Sequence, residues 1–191
     1  MAIRCIYLHD ASNNKAPIMH AEAIDFFKSL KHKFPQFFRD CRVLDCGSLD
    51  INGSLRFLFK DCEYIGVDVR PGKNVDVVSE VRNLSYERES FDVIVSAEML
   101  EHDSSWLQSL KRMAWMLKPG GLLAISCAGH GRPVHGVKDV DGHDWANKPG
   151  YYRNIMIDNV TGIINESDFY DVAILYRGDC SDLYIYAIKR P

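Results

Sequence analysis

Four stretches hold residues of types that could do chemistry. The first is Asp45-Cys46-Gly47-Ser48-Leu49-Asp50-Ile51-Asn52-Gly53-Ser54, where an apolar run breaks into glycine. Glycine there lets a ligand approach the backbone closely. The second is Asp68, 21 residues beyond Gly47 and at the end of another apolar run. A carboxylate so placed can accept two hydrogen bonds from a ribose diol. The third is Ser96-Ala97-Glu98-Met99-Leu100-Glu101-His102. The fourth spans 128–153 and contains His130, Arg132, His135, His143, Trp145, Tyr151, Tyr152 and Arg153. With an imidazole pKa of about 6.5, His130 or His135 is a candidate general base. Arg132 or Arg153 could pair with a carboxylate or phosphate. His130, His135 and His143 lack the spacing of a zinc hydrolase helix. Asp139, Asp141 and Asp144 lack the later glutamate of a calcium loop. No metal is expected.

These stretches need elements to position them. Apolar runs predict strands over 42–46, 63–67, 75–78, 91–96 and 122–127, and two closing strands over 171–176 and 183–189. The run at 91–96 is continuous enough to be buried on both faces. Helical periodicity predicts helices over 19–34, 53–60, 104–117 and 155–164. Ser105 and Gln108 form a capping-box pattern, and Lys118-Pro119-Gly120-Gly121 should stop that helix. Alternating strands and helices imply βαβ units. The expected fold is α/β, Rossmann-like and doubly wound: a mostly parallel seven-stranded sheet with an antiparallel C-terminal hairpin strand. Ligands of such sheets bind beyond the carboxyl ends of the strands, where these motifs fall.

The ordered set resembles the class I S-adenosylmethionine-dependent methyltransferases over roughly residues 42–127. VLDCG at 43–47 resembles their first motif, and YIGVD at 64–68 the segment ending in the ribose-binding acid. FDVIVSAEMLEH at 91–102 and MLKPGGLLAIS at 116–126 resemble the motifs around the fourth and fifth strands. The usual first motif has three glycines at alternate positions. Here only Gly47 is in place, with Leu49 and Ile51 at the others. GSLDINGS resembles a variant of that turn. A two-glycine turn also fits poorly with a pyrophosphate cradle, which disfavours a nicotinamide dinucleotide.

The resemblance implies S-adenosylmethionine as cofactor. Asp45, Gly47, Ser48 and Asn52 would lie against its amino-acid end and Asp68 would bind its ribose. Val69, Glu80 and Val81 would surround the adenine. Glu98 would face the methionine end or the acceptor, and His102 belongs to a common EH ending. GHGRPVHG and PGYYRN look like a substrate-side signature, implying acceptor contacts from Arg132, His135, Tyr151, Tyr152 and Arg153. The family has no fixed catalytic residue to carry over. A sulfonium methyl is already electrophilic, so alignment dominates. A base is needed only for a nucleophile that arrives protonated.

The 191 residues carry a net charge of −3 and a pI near 6.1, which argues against general nucleic-acid binding. Ser96-Ala97-Glu98-Met99 also lacks the Asp/Asn-Pro-Pro-aromatic motif of nucleic-acid amino methyltransferases. No 18-residue apolar run predicts a membrane helix. No secretory leader is visible, and six cysteines occur without CxxC, so a reduced, cytoplasmic protein is expected. Cys46 and Cys127 read as small buried hydrophobes. The expected organisation is a single domain over 1–191: an N-terminal segment and helix (1–40), a cofactor core (41–127), a substrate loop (128–153), then a helix and strand hairpin (154–191). The expected activity is methyl transfer to a small-molecule or sugar-type acceptor. The alternatives are a nucleic-acid or protein acceptor, or a non-catalytic module that binds S-adenosylmethionine.

Overall fold

Val43, Leu44, Val93, Ile94, Val95 and Ala124 lose all contact with solvent, because the strands that carry them are covered on both faces. Successive residues alternate between two apolar layers, as the strand repeat requires. Leu44 and Ile94 pack with Leu110 and Met113. Val43, Val93 and Val95 pack with Phe27 and Leu30. The computed structural model describes residues 4–8, 21–51, 53–134 and 152–191. Its elements are β1 (Arg4–Leu8), α1 (Ala21–Lys33), β2 (Arg42–Cys46), β3 (Glu63–Asp68), β4 (Val77–Val78), β5 (Phe91–Ala97), α2 (Trp106–Met116), β6 (Leu117–Ala128), α3 (Ile157–Thr161), β7 (Phe169–Arg177) and β8 (Asp182–Lys189).

They form one sheet in the order β1-β7-β8-β6-β5-β2-β3-β4. Among the described strands only β8 runs antiparallel, between β6 and β7; every other pairing among them is parallel. The doubly wound α/β class and the antiparallel closing strand are therefore as expected. All seven anticipated strands are present, and β1 adds an eighth at the edge beside β7. RCIYL has too short a pattern to announce itself, and its place depends on pairing with a distant partner.

Two local expectations are corrected. Residues 53–60 form only a 3-10 turn at Arg56–Leu58. Lys60 is drawn into an extended bridge with Arg39, and Phe59 stacks on Phe38 at 4.8 Å. These long-range contacts outweigh local helix preference. At the start of α2, Ser105 makes no side-chain cap. Asp103 does this instead: Oδ1 accepts from the Ser105 N–H at 2.7 Å and Oδ2 from the Ser109 hydroxyl at 2.5 Å. Asp103→Ala should cost about 1 kcal/mol in denaturant unfolding, whereas Ser105→Ala should cost a few tenths at most.

Candidate active site

The carboxyl ends of β2, β3 and β5 lie side by side, and polar groups collect there. Asp45 on β2 is buried and accepts a 2.7 Å hydrogen bond from the Tyr64 hydroxyl of β3. Burial pushes its carboxyl up to about 6, against the favourable pull of Tyr64 and Arg56. Buried and already bonded, Asp45 braces the strand end. At Gly47 the chain turns with φ +88°, and an added Cβ would fall 2.6 Å from the Met99 Cβ. Positive φ and close approach together require glycine here. Gly47 and Ser48 both donate their N–H groups to the Val67 carbonyl, at 2.8 and 3.0 Å. The Ser48 hydroxyl is buried with no partner.

Asp68 ends β3. Its Oδ1 accepts from the Arg70 N–H at 3.0 Å and its Oδ2 more weakly from the Leu49 N–H at 3.4 Å. Partial burial raises its pKa, opposed by these backbone donors. The carboxylate is thus oriented while keeping lone pairs for a diol. A second set of contacts pins the turn. Asp50 pairs with Lys73 at 2.7 Å and accepts from the Asn74 side chain at 3.2 Å and from the Gly53 N–H at 3.0 Å. Asp76 takes the Gly66 N–H at 2.8 Å and the Arg56 guanidinium at 2.5 Å. A Cβ on Gly66 would sit 2.0 Å from the Asn74 carbonyl oxygen, so only glycine lets the two segments meet this closely.

Val69 is half exposed. Glu80 holds Arg82 and Asn83, each at 2.8 Å. Val81 is a core residue, so its side chain is not available to a ligand.

At the other side of the site, Glu98 follows β5 with φ +52°. Its N–H donates to the Ser126 carbonyl at 2.9 Å, and the Ser126 hydroxyl donates to its Oε1 at 2.8 Å. Burial, then the Asp182 charge, pushes its carboxyl up to about 7, with Ser126 and Arg132 pulling it back. Behind it Glu101 is 1% exposed, and neither of its oxygens has a hydrogen-bond partner. Burial and then Glu98 drive its pKa well above the usual range.

Arg132, expected at the substrate, is instead held in a buried ion pair with Asp182 at 2.6 Å and donates to the Cys180 carbonyl at 2.8 Å. A guanidinium taken out of water needs such a partner. Tyr152 lies edge-on to His102 at 5.5 Å, and Arg153 lies 5.3 Å from the Trp106 ring centroid. The imidazole-bearing His130 is exposed, with its carbonyl taken by Tyr176 at 2.8 Å. Asn52, His135 and Tyr151 lie outside the described residues, as do Asp139, Asp141 and Asp144. Among the described residues no group of three or more His, Cys, Asp or Glu could hold a metal. Cys46 and Cys127 are buried in the core. Sequence reasoning missed Tyr64, Ser126 and Asp182, and gave Glu101 no role. Only the placing of Glu101 between Leu100 and His102 in an apolar context hinted at its burial.

This sheet order, with an oriented acid at the end of β3 and a glycine turn after β2, defines a class I methyltransferase fold. Residues 44–125 match the methyltransferase domain family, and the chain is similar in fold to S-adenosylmethionine-dependent methyltransferases. Solved structures agree in fold. The 1,6-didemethyltoxoflavin-N1-methyltransferase of Burkholderia thailandensis, with 1,6-didemethyltoxoflavin and S-adenosylhomocysteine bound, superposes with TM-score 0.56 at 17% identity, covering 95% of this chain and 94% of that one. A phosphoethanolamine N-methyltransferase of Haemonchus contortus, in complex with S-adenosyl-L-methionine, gives 0.63 at 17%, covering 87% of this chain and 52% of that one. A methyltransferase from Archaeoglobus fulgidus gives 0.59 at 16%, covering 87% and 94%. No curated protein matches in sequence. No helix among the described residues is long and apolar enough to cross a membrane.

The Asp45–Tyr64 pair has a pH signature. Asp45 rises from the ordinary 3.8 to about 6 on folding, so the folded state binds the proton more tightly. Its contribution to stability therefore falls as pH rises through this interval. Tyr64→Phe removes the donor to the charged form and should enlarge that loss. Unfolding by urea should show a cost of about 1–3 kcal/mol at pH 8, clearly smaller at pH 5.

Proposed function

We propose that the protein transfers a methyl group from S-adenosylmethionine to a small-molecule or sugar-type acceptor, with donor and acceptor sides built on one domain. The residues present suit the donor. Asp68 would take the ribose hydroxyls, Val69 would flank the adenine, and Glu80 with the Val81 backbone would approach its amino edge. Gly47 leaves room at the turn for the amino-acid end. The buried, unpartnered Ser48 hydroxyl is a polar atom that a ligand there would satisfy. Asn52 belongs to the same reading. The donor supplies the electrophilic methyl, and the chain binds, orients and excludes water.

One observation carries the acceptor class. The described acceptor side presents carboxyls, with Glu98 partly buried and Arg132 already matched by Asp182 at 2.6 Å. Such a surface repels a phosphate backbone. The Burkholderia and Haemonchus proteins, by their names, act on small molecules, in line with this reading. Tyr152, Arg153, His135 and Tyr151 remain the proposed acceptor contacts.

Two measurements test it. With tritium-labelled donor, label should enter a small-molecule metabolite pool and stay out of total RNA, DNA and protein; label in acid-precipitable material would overturn the acceptor class. Calorimetry should show S-adenosylhomocysteine binding to the wild type. Asp68→Ala should weaken it by at least tenfold, on the order of 1.5–3 kcal/mol for a lost charged hydrogen bond.

A further inference from the structure

Two cysteines stand 21 residues apart, each preceded by an aspartate: Asp40-Cys41 and Asp61-Cys62. The same spacing sets the register of β2 on β3. Arg42 pairs with Glu63 at the start of the parallel ladder, and Arg39 pairs with Lys60 just before it. Cys41 therefore lies directly opposite Cys62, with a ladder contact on either side. Both aspartates take the left-handed conformation, φ +53° and +55°, which Asp adopts more readily than most residues. The two segments thus enter their strands with the same bend, and both cysteines pack on the same apolar layer.

Backbone bonds fix this arrangement. The Glu63 N–H donates to the Cys41 carbonyl at 3.0 Å, the Asp40 N–H to the Lys60 carbonyl at 3.2 Å, and the Lys60 N–H to the Phe38 carbonyl at 2.9 Å. Neighbouring strands lie about 4.7–4.9 Å apart, inside the window of about 4.4–6.8 Å between Cα atoms that a disulfide spans. The two Sγ atoms are 3.3 Å apart. Each also meets a backbone carbonyl at 3.2 Å, that of Phe37 for Cys41 and that of Lys60 for Cys62. Both are free thiols and partly exposed, whereas Cys46 and Cys127 are sealed in the core. Rotation of the two side chains is enough to bring the sulfurs to bonding distance, and the strands need not move.

We propose that Cys41 and Cys62 are an oxidation site, closing to a reversible disulfide by exchange with a low-molecular-weight disulfide, R–S–S–R. The site lies at the amino ends of β2 and β3, the opposite end of those strands from Gly47 and Asp68, and it does not depend on methyl transfer. Cys62 gives up its proton and attacks one sulfur of R–S–S–R. A Cys62–S–R bond forms, the S–S bond of the oxidant breaks, and R–S− leaves with the electron pair and takes up the proton. Cys41 then attacks the Cys62 sulfur, the Cys41–Cys62 bond forms, and the second R–S− leaves with the Cys41 proton. Two thiols have lost two electrons and two protons, and one R–S–S–R has become two R–SH. Burial and then the contact with Cys62 push the Cys41 thiol up to about 12, so Cys41 suits the second, intramolecular step, where proximity offsets a small thiolate fraction.

The bond closes a loop from residue 41 to residue 62 that holds β2 and the whole turn after it. Shortening the unfolded chain in this way stabilises the folded one. Closure should therefore raise Tm by about 5 °C or more.

The experiment treats the full, folded chain with oxidised glutathione under native conditions, then blocks remaining thiols and digests without reduction. Trypsin should release the peptides 40–42 and 61–70 joined through their cysteines, with the intact protein lighter by two hydrogens. Dithiothreitol should restore both peptides and the original Tm. In Cys41→Ser the glutathione adduct should persist on Cys62, because no second thiol resolves it. The comparison of oxidised with reduced wild type needs no substitution and stands whatever the variant does to folding. Absence of the joined peptides from the treated wild type, a lasting glutathione adduct on Cys62 in its place, or a Tm unchanged or lowered by closure would each overturn the proposal. So would a Cys41→Ser protein that takes no adduct at Cys62.

Discussion

Covering the central strands on both faces is the constraint from which the rest follows. Once Leu44, Ile94, Val93 and Val95 are sealed between apolar layers, polar work can occur only where the strands stop. Asp45, Asp68 and Glu98 all sit at or just beyond those stopping points. They differ in how each carboxyl is compensated. Asp45 is matched by a phenol within the sheet, Asp68 by backbone N–H groups, and Glu98 by one hydroxyl.

The turn after β2 shows how a shortened glycine motif can still be rigid. With Leu49 and Ile51 replacing two glycines, backbone freedom alone does not shape the loop. Side-chain links from Asp50 to Lys73 and Asn74, and from Arg56 to Asp76, anchor it to the β3–β4 connection. Exposed pairs of this kind contribute little singly. Their number, and the backbone bonds between the same segments, set the position of Gly47 and Ser48.

The architecture was legible because its signals are local and repeated: apolar runs of strand length, separated by helical stripes. What the chain hid depended on distant partners. β1 exists only against β7, and residues 53–60 abandon a helix because Lys60 and Phe59 are claimed from the 35–40 region. Asp103 displaces Ser105 as cap by a difference of two positions that spacing rules do not resolve. The positions of Gly47, Asp68 and Glu98 at the strand ends were readable from motif order. Arg132 was readable as a charge but not as half of a buried pair, since Asp182 lies 50 residues away. Glu101 carried no role of its own in the sequence, and only packing reveals its burial.

β1 has one more effect, on how copies of this protein meet. A sheet must end somewhere, and open edges invite pairing with another chain. Here one border is β4, two residues long, too short to template a partner. The other would have been β7, a nine-residue strand rich in apolar side chains. β1 occupies most of that border. The open border on that side is thus the five residues of β1 rather than the nine of β7.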